Sequence, residues 1–293
     1  MPEAKAFETT NRPTWCPGCG NYAMFTAIKK AYERLDLDFE RLAVVWGIGC
    51  HGNGADFTKC QGFHALHGRA LPTATGLALS NPELTVVVEM GDGDGYGIGL
   101  GHFAHACRRN IDLTVVAHDN QIYGLTTGQA SPTTEHLMKT VSTPAGVLEE
   151  PVNTLGLAIA EGATYVARGF AGDIEHLTGL ISDGIRHRGF AVIDVYQPCV
   201  TWNKLNTNQW FRDRVYKLDD AGHDTSDKVN AFELTLTSYH EMACTPEECR
   251  LPIGVLYREE GRPTYGDGLP QLTGPLWKAA LAPRDISPTL AGL

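Results

Sequence analysis

A chain of 293 residues is long enough to bury a full core, as one large domain or two small ones. With 43% hydrophobic and 20% charged residues it has the make-up of a soluble globular protein, and a formal charge of −10 with no offsetting basic run excludes a dedicated nucleic-acid binder. No basic-then-apolar leader is seen and no apolar stretch approaches the ~18 residues of a membrane span, so a cytoplasmic protein without a membrane partner is expected.

After an irregular start, Met24, Ala27, Ile28, Ala31, Tyr32 and Leu35 recur at the spacing of one helix face. LAVVW (42–46) reads as a short buried strand that runs into the glycine-rich loop GIGCHGNG. A helix is expected over 70–79, then a strand LTVVVEM (84–90), a helix near 97–109 and a strand DLTVVAH (112–118). EGATYVAR (161–168) reads as a strand, Ile174, Leu177, Ile181 and Ile185 mark a helix, and FAVIDVY (190–196) is another apolar strand. Beyond Cys199 the pattern decays into a polar, aromatic-dotted tail. Alternating strands and helices predict an α/β fold, a mostly parallel sheet with helices on both faces. Such sheets bind ligands at the carboxyl ends of their strands. The loops at 47–54, 91–97 and 119–128 all follow strands and are expected to share one rim.

Residues 86–99, VVVEMGDGDGYGIG, carry an apolar strand into a glycine cluster, a setting in which chains turn to cradle phosphate. The dinucleotide fingerprint fails because no G-x-G starting within 91–97 has its third glycine, and the P-loop fails for want of Gly-Lys-Ser/Thr. Asp92 and Asp94 would repel a bare pyrophosphate unless a cation intervened. Mg²⁺ removes the conflict, since it binds a few protein oxygens together with phosphate oxygens. The second oxygen donor is expected one crossover away, on the next strand-loop, and Asn120 stands there, just past the strand at 112–118. On these residues alone, a plain tight turn at GDGDG is the competing explanation.

Eight cysteines in a cytoplasmic chain point to metal or redox chemistry before disulfides. CPGCG (16–20) could be half of a zinc site, a dithiol, or half of an iron–sulfur site, and the missing preceding strand disfavours a thioredoxin-like dithiol. Cys50 and Cys199 follow strands and can reach the same rim, with Cys60 as a competing ligand. Four thiolates suit zinc and a [4Fe–4S] cluster alike. Cys107 falls in a predicted helix and is expected in the core, and Cys244 and Cys249 of CTPEEC read as packing or surface residues.

Taken in order, TWCPGCGNY, WGIGCHGNG, HALHGRALPTATG, VVVEMGDGDGYGIGLGHFAHACRRN, DNQIYGLTTGQASPTT and QPCVTWN resemble the β subunit of 2-oxoacid:ferredoxin oxidoreductases, over residues 13–217. Within this stretch, GDG followed one strand later by an Asn-bearing loop is similar to the thiamine-diphosphate fingerprint. The resemblance implies the thiamine-diphosphate-binding fold over 1–217, with 218–293 as an irregular extension packed on the domain or on a partner. It implies Mg²⁺ held by Asp92, Asn120 and the Ile122 carbonyl, with Gly91, Gly93 and Asp94 along the diphosphate of thiamine diphosphate. Ile48, Gly49, His51, Gly124, Leu125 and Thr126 would complete the cofactor site, with His67 and Gly68 beside the diphosphate and thiazolium. Asp119 stands where many relatives have Asn, while Asn120 keeps the metal position. A [4Fe–4S] cluster is implied on Cys16, Cys19, Cys50 and Cys199, Cys50 also touching the thiamine site. No role is implied for the remaining cysteines.

The activity implied is CoA-dependent oxidative decarboxylation of a 2-oxo acid with electrons passed to ferredoxin, or the reverse CO2-fixing reaction. His51, Asn53, Leu125 and Thr126 are the candidate catalytic residues facing the substrate. Asn53 stands where some relatives carry a basic residue, so a distal substrate carboxylate would rely on His51 or on the partner. The wording LTTGQASPTT and HGRALPTATG looks most like 2-oxoglutarate-using members, with pyruvate the runner-up. An α subunit is expected to supply the glutamate for the aminopyrimidine and the CoA site, in an αβ heterodimer that pairs as (αβ)2. A non-redox decarboxylase with zinc-bound cysteines, and an iron–sulfur electron-transfer subunit with a merely structural GDGDG loop, are the competing readings.

Overall fold

The apolar runs of the chain become strands of a single sheet. The computed structural model describes residues 3–236, 245–270, 272, 274–279 and 287. Among these the strands are β1 (Leu42–Trp46), β2 (Gln61–His64), β3 (Thr85–Gly91), β4 (Leu113–Asp119), β5 (Tyr165–Phe170), β6 (Phe190–Tyr196), β7 (Val215–Lys217) and β8 (Leu251–Arg258). Their spatial order is β2-β1-β3-β4-β6-β5-β8-β7. β1 to β6 run parallel, β8 pairs antiparallel with β5, and β7 lies parallel to β8. Every residue of β1, β4, β5 and β6 is buried. Strands covered on both faces lose the alternation of a half-exposed strand, which is why they read as continuous apolar runs.

Among the described residues the α-helices are α1 (Asn21–Arg34), α2 (Gly54–Phe57), α3 (Ala70–Ser80), α4 (Leu100–Arg108), α5 (Thr154–Ala160), α6 (Ile174–Arg186), α7 (Asn208–Arg212), α8 (Lys228–Leu236) and α9 (Leu276–Ala279). On one face α1 and α6 bury Met24, Ile28, Tyr32, Leu177 and Ile181 against Val44, Val116 and Ile193. On the other, α3, α4, α5 and α8 bury Leu71, Phe103, Ile159 and Ala231 against Val45, Val88, Val115 and Val192. Cys107 is buried in this second layer, as its helical position predicts. None of the described helices is long and apolar enough to cross a membrane.

The structure departs from the sequence reading at the weak signals. QGFH forms β2, an exposed edge strand with no apolar run to announce it. The strand expected from Glu161 starts at Tyr165, because Gly162 takes φ +91 in the preceding turn. LPIGVLYR, in the tail expected to be irregular, forms β8 and is largely buried against β5. Pro252 and Gly254 disfavour a strand by propensity; Gly254 has φ +130, and burial of the flanking Leu and Ile side chains prevails. TLGLAIA forms α5, capped by Asn153, whose side chain accepts from Gly156 N at 2.9 Å. Cys249 proves to be disulfide-bonded, a correction to the packing or surface role expected of it, and Cys244 lies outside the described residues.

α4 carries the end of the glycine loop into the core through Phe103, which is fully buried and meets the Tyr96 and Phe190 rings at 5.2 and 5.9 Å between centroids, edge-on to both. Phe103→Ala is expected to cost about 3–5 kcal/mol of stability, read as a lowered denaturation midpoint by circular dichroism.

Candidate functional site

The register of the central strands brings the loops together. Trp46 pairs with Glu89, Gly91 with His118 and Asp119 with Tyr196, so β1, β3, β4 and β6 end side by side. The loops after β1, β2, β3 and β4 line a cavity of about 390 Å³. It is lined by Ile48, Gly49, Cys50, His51, His67, Gly91, Asp92, Gly93, Asp94, Asn120, Ile122, Gly124, Leu125 and Thr126, all singled out by the sequence. Tyr123, Gln129 and Ala130 join them. Gly68 and Asn53 do not line this cavity: Gly68 donates its N–H to Asp94, and Asn53 faces the neighbouring cavity that holds the thiols.

Asp94 is engaged with the protein itself. Its Oδ1 accepts from Gly68 N at 2.7 Å and from Ile48 N at 3.1 Å. His67 Nδ1 lies 3.1 Å from the same oxygen, off hydrogen-bonding geometry. Burial raises the Asp94 carboxyl above its ordinary range, and these backbone donors and His67 oppose the rise. A Cβ at Gly47 would stand 1.8 Å from Asp94 Oδ2, so only glycine fits beside the carboxylate. A Cβ at Gly93 would stand 2.1 Å from the Tyr123 ring, whose hydroxyl donates to Gly93 O at 3.0 Å. The glycines thus admit side chains that press on the loop.

Asp92 sits 3% exposed, and the hydroxyls of Ser131 and Thr133 both donate to its Oδ2, Thr133 at 2.8 Å. Thr133 Oγ1 is also 2.8 Å from Asp119 Oδ1. One hydroxyl proton cannot serve both carboxylates. Burial, with Asp194 and Asp92 nearby, holds Asp119 well above the usual carboxylate range. Burial pushes Asp92 to about 6, against the pull of the two hydroxyls. Deeper in the core Arg168 Nε lies 3.5 Å from Asp194, which also accepts from Thr154 at 2.8 Å.

The 120–122 segment owes its shape to Gln121, which adopts φ +59, a left-handed conformation uncommon outside glycine. Gln121 N and Ile122 N donate to the side chains of Asp119 and Asn120 at 3.2 and 3.1 Å. Across the cavity, burial drives His51 well below its usual pKa, with His118, His64 and His67 adding to the effect, and the imidazole is neutral near pH 7. His51 Nε2 is buried without a protein partner. The orphaned nitrogen, the glycine-cleared wall and the oxygen donors Asp92, Asn120 and Ile122 fit a phosphorylated cofactor bound through a cation.

A second cavity, of about 300 Å³, is lined by Cys16, Cys19, Cys50 and Cys199, and Cys60 does not reach it. Trp15 Nε1 donates to Cys50 O at 2.6 Å, and Gln197 Nε2 lies 3.7 Å from Cys19 Sγ, as a hydrogen bond to sulfur allows. Burial pushes the Cys50 thiol up to about 11, and the other three thiols add to the rise. Among the described residues no group of three or more His, Cys, Asp or Glu side chains is arranged to hold a metal ion as it stands. Cys50, Asn120, Gly124 and Leu125 line both cavities, which therefore share a wall. Ser131, Thr133, Tyr123, His118 and Gln197 were not singled out from the sequence. The hydroxyl run SPTT was the one available signal, and its target became visible only in the fold.

The chain matches the family model "Thiamine pyrophosphate enzyme, C-terminal TPP binding domain" over residues 47–195, and a second model, for the C-terminal part of the pyruvate ferredoxin oxidoreductase beta subunit, over 199–274. It is 44% identical to a 2-oxoacid:ferredoxin oxidoreductase subunit beta from Sulfolobus, across 86% of this chain and 83% of that one. A 2-oxoglutarate synthase subunit KorB from Archaeoglobus fulgidus is 44% identical, across 69% of this chain and 76% of that one. The solved 2-oxoglutarate:ferredoxin oxidoreductase from Magnetococcus marinus, with 2-oxoglutarate, coenzyme A and succinyl-CoA bound, superposes with a TM-score of 0.88 at 36% identity. It covers 99% of this chain and 95% of its own.

The Asp94 contacts make a direct prediction. Asp94→Ala leaves the Ile48 and Gly68 N–H groups without their acceptor and is expected to cost about 2–4 kcal/mol. Asp94→Asn keeps one acceptor oxygen and should cost less. Equilibrium denaturation of the three proteins checks the order.

Proposed function

The chain belongs to the family of 2-oxoacid:ferredoxin oxidoreductase β subunits, and from that membership we propose that, with an α subunit, it catalyses CoA-dependent oxidative decarboxylation of 2-oxoglutarate to succinyl-CoA with electrons delivered to ferredoxin, or the reverse CO2-fixing reaction. The observation that carries this reading is the shared wall: the cavity suited to a cation-bound diphosphate adjoins a cavity ringed by four thiols, with Cys50 in both. The names of the Archaeoglobus and Magnetococcus relatives favour 2-oxoglutarate over pyruvate.

Asp92, Asn120 and the Ile122 carbonyl would hold Mg²⁺, and Gly91 and Gly93 would lie along the diphosphate. Ser131 and Thr133 fix the Asp92 carboxylate through one oxygen, which orients the group toward the rim. Ile48, Gly49, His51, His67, Gly124, Leu125 and Thr126 would form the walls around thiamine diphosphate. When bound, thiamine diphosphate supplies the electron sink that decarboxylation of a 2-oxo acid needs. His51, held neutral by burial, can exchange a hydrogen bond with a ligand without adding charge. Asn53 faces the thiol cavity, so His51, Leu125 and Thr126 are the proposed substrate-facing residues of this chain. Cys16, Cys19, Cys50 and Cys199 would hold a [4Fe–4S] cluster: four thiols ringing a cavity suit a polynuclear cluster better than a single zinc ion. The α subunit would supply the glutamate facing the aminopyrimidine and the CoA site.

The test is an assay of the chain purified with its α subunit, using several 2-oxo acids with CoA and ferredoxin. CoA-dependent ferredoxin reduction is expected, with kcat/KM for 2-oxoglutarate above that for pyruvate by at least about tenfold. Clear 2-oxoacid-dependent dye reduction by the chain alone would overturn the need for the partner. In the same complex, Asp92→Ala is expected to abolish retention of thiamine diphosphate on gel filtration, measured as thiochrome fluorescence. Retention at wild-type affinity would refute the assignment of Asp92.

A further inference from the structure

Asn21 opens α1 directly after the CPGCG turn and is 1% exposed. Its side-chain oxygen lies 3.0 Å from His118 Nδ1. A carbonyl oxygen only accepts, so His118 Nδ1 carries the proton and the amide is locked with its oxygen toward β4. His118 is itself confined: its Nε2 lies 3.4 Å from Glu89 Oε2, and its ring is 5.2 Å from that of His51. The other arm of the amide, Nδ2, is buried with no protein partner. Asn21 lines the thiol cavity together with Cys16, Cys19, Cys50 and Cys199. Cys19 already receives the Asn21 backbone N–H and the Gln197 amide. Nδ2 is therefore a buried donor without a protein acceptor, on a residue that lines the thiol cavity.

We propose that the Asn21 side-chain amide, held in orientation by His118, donates an N–H···S hydrogen bond to the iron–sulfur cluster of this cavity and sets its reduction potential. This rests on the cluster assignment made above. Reduction adds one electron and no proton, and leaves the cluster and its sulfurs more negative. An N–H donor aimed at sulfur stabilises that added charge and raises the potential. Asn21 is thus a tuning residue and His118 a positioning residue. Through its contacts with Asn21 and His51, His118 links the thiol cavity to the neighbouring cofactor cavity.

The experiment is a redox titration of the αβ complex, with the reduced cluster followed by electron paramagnetic resonance and dithionite as the electron donor. Asn21→Leu is expected to lower the equilibrium constant for cluster reduction about tenfold, a fall of about 59 mV in midpoint potential. Iron and sulfide content should match the wild type. Asn21→Asp, of the same size, should lower the potential further, and it decides the matter if the leucine variant does not fold. His118→Leu should also lower the potential. His118→Asn, which can still donate to the Asn21 oxygen, should restore a near wild-type value. Wild-type potentials in Asn21→Leu and Asn21→Asp with full iron content would overturn the inference. A wild-type complex without iron would instead overturn the cluster assignment on which it stands.

Discussion

One buried carboxylate ties the rim of this protein together. The loops after β1, before α3 and after β3 leave the sheet with backbone N–H groups that no ladder satisfies, and Asp94 accepts from two of them, Ile48 and Gly68. A buried amide without an acceptor is costly, so this contact fixes how closely the three loops approach. The absence of a side chain at Gly47 gives the carboxylate its place. The two aspartates of GDGDG consequently have different tasks. Asp94 faces inward and holds the loops, which leaves Asp92 as the carboxylate proposed for the cation.

Beneath that clamp lies a polar layer that is unusual for the middle of a parallel sheet. Asp92, Asp119 and Asp194 are all buried, with Arg168 close to Asp194. Three negative charges in so small a volume would be severely destabilising, and burial with the neighbouring Asp194 and Asp92 carboxylates raises Asp119 well above the usual carboxylate range. Thr133 bridges Asp92 and Asp119 through its hydroxyl, and Ser131 donates to the same Asp92 oxygen. The geometry of the proposed metal ligand is thereby set by residues 131–133, far along the chain from Asp92 itself.

The adjacency of the two cavities follows from sheet order. β1, β3, β4 and β6 are consecutive in the sheet, so the loops carrying Cys50, Asp92, Asn120 and Cys199 follow four adjacent strand ends. Cys50, Asn120, Gly124 and Leu125 serve both cavities at once. An electron acceptor in one would lie against a cofactor in the other, the arrangement that the proposed chemistry requires. The buried His51 and His118 rings, with Asn21 beyond them, connect the same two spaces through the protein interior.

The central fold was legible because strands buried on both sides must be apolar throughout, and LAVVW, the TVVVEM run and FAVIDVY declare themselves without any knowledge of their neighbours. The helix faces of α1 and α6 and the shared rim of the loops were legible for the same reason: periodicity is a local property. β2 and β8 were not, since an exposed edge strand has no apolar requirement and the Pro252 and Gly254 positions of β8 are rescued only by burial against β5. The sequence by itself determined which residues are the candidates for the chemistry, because the carboxylates of GDGDG, the amide of the Asn120 loop and the paired thiols of CPGCG are visible in local pattern. Tertiary structure alone decided what each does: that Cys50 and not Cys60 joins the other three thiols, that Asp94 binds the protein, and that Thr133 braces Asp92. These outcomes depend on distances between loops remote in the chain, which sheet order and register set and no local pattern encodes.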